Sequence, residues 1–411
     1  MIFNSSIYNA HWRDNKLADL GSFRRGKSKH RPRNDSRLFE DGLYPLVQTG
    51  EVKSANLYIC SHKACYSEFG LNQSTLWPEN TLCITIAANI AETALLGYPM
   101  CFPDSVVGFN ADHDQSSELF MHYVFTYIRR AIQNSVSGSI QDNINIDYLT
   151  GLNFKIPEKN YQDKIVSVLS GIDEKIEINN KTNTELEAMA KLIYDYWFVQ
   201  FDFPDENGKP YKSSGGKMVY NEELKREIPV GWEVKELSDI ANITMGQSPS
   251  GSSYNDSGEG AIFFQGSTDF GYRFPSVRQY TTEPNRLAKK GDILLSVRAP
   301  VGTLNIVDND CCIGRGLAGL NSKDNADSFL FYVMLYFKQI FDRRNSSGTT
   351  FGSITKDDLF SLKLVYPSSN TLLNYDNKVS GFNVKILNNH QQNKELIRLK
   401  DWLLPMLMNG Q

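Results

Sequence analysis

The sequence predicts an α+β protein: two similar globular domains, strand-rich with helices, separated by two long helices that pair as an antiparallel coiled coil, the whole forming a pseudo-two-fold internal repeat. Three observations predict this. The same module occurs twice, about 210 residues apart. Each copy ends in a stretch whose apolar residues follow an alternating 3–4 spacing, the heptad seam of a helix that packs on another helix. A chain of 411 residues also has room for two to four separate cores.

The repeat can be followed residue by residue. Trp12, Leu17, Asp19 and Gly26 answer Trp232, Leu237, Asp239 and Gly246. Ser137-Gly138-Ser139 answers Ser347-Gly348-Thr349, and Ile144, Leu149 and Pro157 answer Ile354, Leu359 and Pro367. The offset falls from 220 to 210 between these points, so the first copy carries extra residues in its middle. A constant frame with variable loops suggests one scaffold presenting two different binding surfaces.

The first domain is expected over 1–157. Its short apolar runs, such as Leu43 to Val47 and Leu82 to Ala87, are separated by Gly, Pro, Asn and Asp. A helix is expected over Glu118–Gln133, with its counterpart over Ser328–Arg343. Residues 158–200 form the first long helix, with Ile165, Leu169, Ile172, Ile176, Asn179, Asn183, Leu186, Ala190, Ile193 and Trp197 on the seam. Residues 201–228, rich in turn formers and polar side chains, are expected to be a linker. The second domain covers 229–367. Residues 368–411 form the second long helix, its seam running through Phe382, Ile386, Asn389, Asn393, Leu396, Lys400, Leu403 and Leu407. Asparagine recurs at equivalent seam positions, which costs stability but fixes register and partner. The two helices are therefore expected to pair with each other. At about 34 residues each spans roughly 50 Å.

Composition is that of an ordinary globular protein. No run of about 18 apolar residues predicts a membrane span, and the N-terminus lacks the charged-then-apolar pattern of a secretory signal. The six cysteines (Cys60, Cys65, Cys83, Cys101, Cys311, Cys312) are sparse, which fits a reducing cytoplasm better than a disulfide framework. The net charge of −4 argues weakly against a nucleic-acid partner. Local charge argues for one: Arg24, Arg25, Lys27, Lys29, Arg31, Arg33 and Arg37 crowd one stretch opposed only by Asp35, and can neutralise phosphates.

Several catalytic motifs fail on their context. Gly21 to Ser28 matches the phosphate-loop pattern, but Pro32 blocks the helix that the pattern requires. The second copy, Ala241 to Ser248, keeps only the later Gly and the Ser. The shared element is a strand ending in a Gly-x-Ser turn. Pro204-Asp205 with Glu223-Leu224-Lys225 resembles a metal-nuclease pattern but falls in the linker, where nothing holds ligands in geometry. Cys60 and Cys65 have no second ligand pair for zinc, and no metal site is expected. No methyltransferase, dinucleotide or hydrolase motif occurs. A binding or scaffolding subunit is expected rather than an enzyme.

The DNA-binding candidates occupy matching loops. In the first domain they are Arg24, Arg25, Lys27, Lys29, Arg31, Arg33, Gln48, Thr49 and Ser139. In the second they are Gln247, Gln265, Ser267, Thr268, Arg273, Arg298, Arg315, Thr349 and Thr350, with Arg278 adding charge. Gln and Arg reach base edges in the major groove, and Ser and Thr at Gly-rich turns suit phosphates.

With these residues in place, the chain resembles the specificity subunit of Type I restriction–modification enzymes over essentially its whole length. The resemblance rests on the two variable domains, each followed by a similar helix. It also rests on Ile228-Pro229-x-Gly231-Trp232, Gly246-x-Ser248-Pro249, Gly291 to Ser296, and Leu403-Leu404-Pro405-x-Leu407-Met408-x-Gly410. The first copy departs from the pattern, keeping only Trp12 of the Pro-x-Gly-Trp phrase. The resemblance implies that each domain reads one half of an asymmetric bipartite site in double-stranded DNA, and that the paired helices set the spacer. It implies two methylation subunits carrying S-adenosylmethionine, which flip out the target adenine, and two motor–nuclease subunits using ATP and Mg. No cofactor is implied for this chain. Two alternatives stay open. One is a stand-alone nuclease or ATPase, marked by activity of the purified chain. The other is a tandem scaffold, marked by absence of salt-dependent DNA binding.

Overall fold

In the computed structural model, which describes residues 2–87, 89–137, 144–346 and 352–411, the chain forms two compact units. The first comprises Met1–Lys181 and His390–Gln411, the second Thr182–Asn389.

In the first unit a five-stranded sheet has the order Gly21–Arg25, Val106–Ala111, Leu82–Thr85, Thr93–Leu96, Tyr58–Ile59. The central strand Leu82–Thr85 is buried on both faces. Because successive side chains of a strand point to opposite faces, Leu82 and Ile84 enter one core, with Phe109, Phe120 and Val124, while Cys83 enters a second, with Trp77 and Phe102. Helix Glu118–Ser137 covers the first of these faces. The second face meets a four-stranded sheet: Ala64–Tyr66, Tyr44–Leu46, Met100–Cys101, Leu76–Trp77.

The second unit repeats this plan. Its four-stranded sheet runs Ala241–Met245, Leu317–Ser322, Ile293–Ser296, Leu304–Ile306, under helix Asp327–Ser346. Ile293 and Leu295 enter one core and Leu294 the other. That two-sided burial explains the uninterrupted apolar run at these positions. In the second unit's other sheet, which has five strands, Ala261–Phe264 lies parallel to Cys311–Ile313, as Tyr44–Leu46 lies parallel to Met100–Cys101 in the first unit. The extra residues of the first copy fall between Leu46 and Leu82. That stretch holds helix Thr49–Ser54, helix Glu68–Asn72 and strand Tyr58–Ile59, the last being a fifth strand beyond the four of the second unit's corresponding sheet.

The long helices are Lys159–Tyr194, continued by a π-helical turn over Asp195–Val199, and Ser369–Met408. In the first unit Asn179 donates to the side chains of Asn393 (2.8 Å) and Gln392 (2.9 Å), and Lys400 pairs with Asp173 at 2.5 Å. In the second unit Asn389 donates to Asn183 (2.8 Å) and Tyr375 to the Ala190 carbonyl (3.3 Å). As one number rises the other falls, so the pairing is antiparallel in each unit. The expected seam is the buried one: Ile172, Ile176, Asn179 and Asn183 on one helix and Ile386, Asn389 and Asn393 on the other are buried, with Leu186, Ile193, Phe382, Leu396 and Leu403 half-buried. The helix ends complete the cores. Leu404 and Met408 join Trp12 in the first unit, and Ala190, Tyr194, Trp197 and Phe198 join Trp232 in the second.

The expected linker over 201–228 is corrected. Phe201 and Phe203 are buried, and Phe203 stacks on Trp232 (4.7 Å) and on Tyr211 (4.6 Å). Strands Met218–Asn221 and Arg226–Pro229 form a hairpin. The turn-forming residues disguised a packed segment whose aromatics are spaced irregularly and so carry no periodic signal. Asp205 and Glu223 are structural: Asp205 accepts from the Asn207 and Lys209 amides, and Glu223 pairs with Lys363.

Candidate nucleic-acid interface

The shared Gly-x-Ser turns organise both surfaces. A Cβ on Gly246 would lie 2.2 Å from the Gly314 carbonyl oxygen, and one on Gly26 would lie 2.3 Å from that of Pro103. Only glycine tolerates so close a backbone approach. Gly26 N–H bonds to the Val106 carbonyl and Gly246 N–H to that of Leu317, both at 2.9 Å. Gly21–Arg25 is an edge strand, and no helix begins at Lys27, so the phosphate-loop geometry is not formed.

In the second unit the turn gathers several strand ends on one rim. Gln247 N–H bonds to the Ile313 carbonyl (3.0 Å), and the Arg315 amide to the Ser248 hydroxyl (3.3 Å). Gly316 N–H bonds to the Gln265 carbonyl (3.2 Å), and Val297 N–H to that of Gly316 (2.9 Å), which brings Arg298 alongside. Gln247, Gln265, Arg298 and Arg315 are all exposed there. Gln265 leads directly into the turn Ser267–Asp269, where Ser267 is half-buried and Thr268 exposed. These side chains offer the donors and acceptors that base edges and phosphates require.

Arg273 is corrected. It is only 4% exposed. Its guanidinium donates to Glu187 (2.7 Å) and Asn383 (2.6 Å) and sits 4.7 Å from the Phe331 ring centroid. Its donors face the long helices within the second unit, not an external ligand.

In the first unit the basic run divides. Arg24 and Arg25 lie on the edge strand facing opposite ways, and Arg25 Nε donates to the Asp104 carbonyl (2.6 Å). Arg31 folds back onto the carbonyls of Ser28 (2.6 Å) and His30 (2.8 Å), and Arg33 pairs with the Asp104 carboxylate (2.8 Å). Arg37, then His30, hold the Asp35 carboxyl far below the usual carboxylate range. Asp104 was therefore a second counter-charge that sequence reading missed. It lies 71 residues from Arg33, and no local signal connects them. Arg24, Lys27 and Lys29 are exposed and form no ion pair among the described residues. Gln48 follows the strand Tyr44–Leu46 as Gln265 follows its counterpart, and is exposed. Its backbone N–H donates to the Glu51 carboxylate (3.2 Å), and Thr49 begins the short helix Thr49–Ser54. Ser139, Thr349 and Thr350 lie outside the described residues.

Among the described residues no three His, Cys, Asp or Glu side chains converge as metal ligands. Burial pushes the Cys101 thiol up to about 11, and burial with Cys312 beside it pushes Cys311 up to about 12, so both stay protonated packing groups. No helix among the described residues is long and apolar enough to cross a membrane.

Comparison with known proteins identifies the family and the fold. The family model described as "Type I restriction modification DNA specificity domain" matches twice, over residues 9–188 and 229–400. A putative type I restriction enzyme MjaX specificity subunit of Methanocaldococcus jannaschii is 34% identical over 70% of this chain, a match that takes in 64% of that relative's length. The MjaIX specificity subunit of the same organism is 25% identical over 97% of this chain and 93% of its own. The crystal structure of the Type-I restriction-modification system S subunit from M. genitalium covers 99% of both chains, with a TM-score of 0.61 and 16% identity, and shares the fold.

Proposed function

The chain belongs to the Type I restriction–modification DNA specificity family, and from that premise we propose that each unit reads one half of a bipartite site in double-stranded DNA through the rim at its Gly-x-Ser turn. The observation that carries this reading is the repetition itself. One fold places the same glycine turn and parallel strand pair in both units, yet presents Gln48 with Arg24, Lys27 and Lys29 in one and Gln247, Gln265, Arg298 and Arg315 in the other. Unlike rims imply unlike half-sites. Paired helices of defined register set the spacer. Two readers on one chain gain effective concentration at the second half-site once the first has bound.

The chain chooses where chemistry happens and performs none of it. Two methylation subunits dock on the helices and domains and supply S-adenosylmethionine. Two motor–nuclease subunits supply ATP- and Mg-dependent translocation and cleavage. The assembly works in the cytoplasm, where its DNA is.

The test is a methylome. The chain is expressed with the methylation subunit of its own operon in a host lacking such systems, and the DNA is sequenced for modified adenine. A new split motif with two unlike halves is the expected result. A stable complex that leaves no new motif would overturn the recognition role.

A further inference from the structure

We propose that Arg278 is a base-reading residue of the second unit, directed at a guanine, and that Asp269 is its positioning residue. The inference rests on the DNA-reading role above and adds a contact within it. After the turn Ser267–Asp269 the chain makes a short excursion, closed by the Ser276 amide on the Asp269 carbonyl (2.8 Å), and returns antiparallel to the strand Ala261–Phe264. Phe263 N–H bonds to the Gln279 carbonyl (2.9 Å), with Ile262 opposite Tyr280. That register sets Arg278 beside the strand end from which Gln265 emerges.

The side chains make an asymmetric pair. The Asp269 side chain is 8% exposed and that of Arg278 63%. Arg278 Nε donates to Asp269 Oδ1, and neither terminal Nη has a partner among the described residues. A guanidinium carries five N–H donors in a rigid plane. Held at Nε by a nearly buried carboxylate, it keeps its two Nη groups outward as a fork of fixed orientation. That fork matches O6 and N7 of guanine in the major groove.

The other arginines considered in the second unit are different. Arg273 is buried and spends its donors on Glu187 and Asn383. Arg298 and Arg315 are exposed and have no carboxylate partner among the described residues, as suits phosphate contacts. Arginine is the exposed member of this pair, so the nearly buried Asp269 carboxylate fixes the direction of its fork, as a base reader requires.

The test uses the complex of the full chain with its methylation subunit, measured on the methylated motif and on DNA changed one base pair at a time. Arg278→Ala is expected to lose discrimination at one G·C pair of one half-site by about 5- to 150-fold, with the other half-site unchanged. Arg278→Lys does not restore it, because an ammonium presents no fork. Asp269→Asn gives a partial loss at the same pair, with affinity for the already substituted site unchanged. Should Asp269→Asn fail to fold, the exposed Arg278 variants decide alone. Uniform weakening on every sequence with a shallower salt dependence, or an unchanged motif, would overturn the proposal. Either result would leave the recognition role intact, since that role is judged by whether the wild-type complex writes a split motif.

Discussion

At the scale of single residues, partners decide function. Gln265 is exposed at the rim, and among the described residues only its backbone is hydrogen-bonded. Gln265→Ala should relax specificity at one half-site and leave the other, as read in the methylated motif; wild-type discrimination would remove it as a reader. His122 shows the opposite situation. It is buried within hydrogen-bonding distance of the Thr93 hydroxyl (3.0 Å), and burial, with Lys400 and Arg129 adding repulsion, lowers its pKa to about 3 from 6.5. The unfolded chain therefore binds this proton more readily than the folded one. The stability tied to neutral His122 is complete above pH 6.5 and is lost as pH falls from there towards 3. Between pH 7 and pH 5 the loss is on the order of 2 kcal/mol. Urea unfolding of His122→Gln at the two pH values should lack that increment.

Among elements, the long helices carry the clearest message. Four asparagines lie on a seam where apolar residues would pack more tightly. Their amides bond across it, Asn179 to Asn393 and Asn389 to Asn183. Losing one partner strands a buried amide, which costs about 1–3 kcal/mol. In a double-mutant cycle, Asn179→Ala and Asn393→Ala should therefore couple by about 0.5–3 kcal/mol in urea unfolding. Strict additivity would make the pair incidental. The heptads were legible because burial on one face of a helix leaves a period in the sequence. The central strands were legible as the apolar runs around Leu82 and Ile293. The segment 201–228 was not, since Phe201 and Phe203 pack on Trp232, and Tyr211 on Phe203, without any regular spacing.

For the molecule as a whole, DNA affinity combines a charge term shared by all sequences with a contact term specific to one. Lys27→Ala and Lys29→Ala should each weaken binding uniformly and lower the slope of log K against log salt by about 1. An unchanged slope in titrations at several salt concentrations would place those lysines away from phosphate. The sequence by itself determined the two-fold repeat, the helix seams and the family resemblance, because each is a pattern written along the chain. Only the tertiary structure decided which of the basic residues remain available. Arg33 is spent on Asp104, 71 residues away, and Arg273 on Glu187, 86 residues away. Periodicity is local, but a charge is neutralised by whatever folding brings beside it.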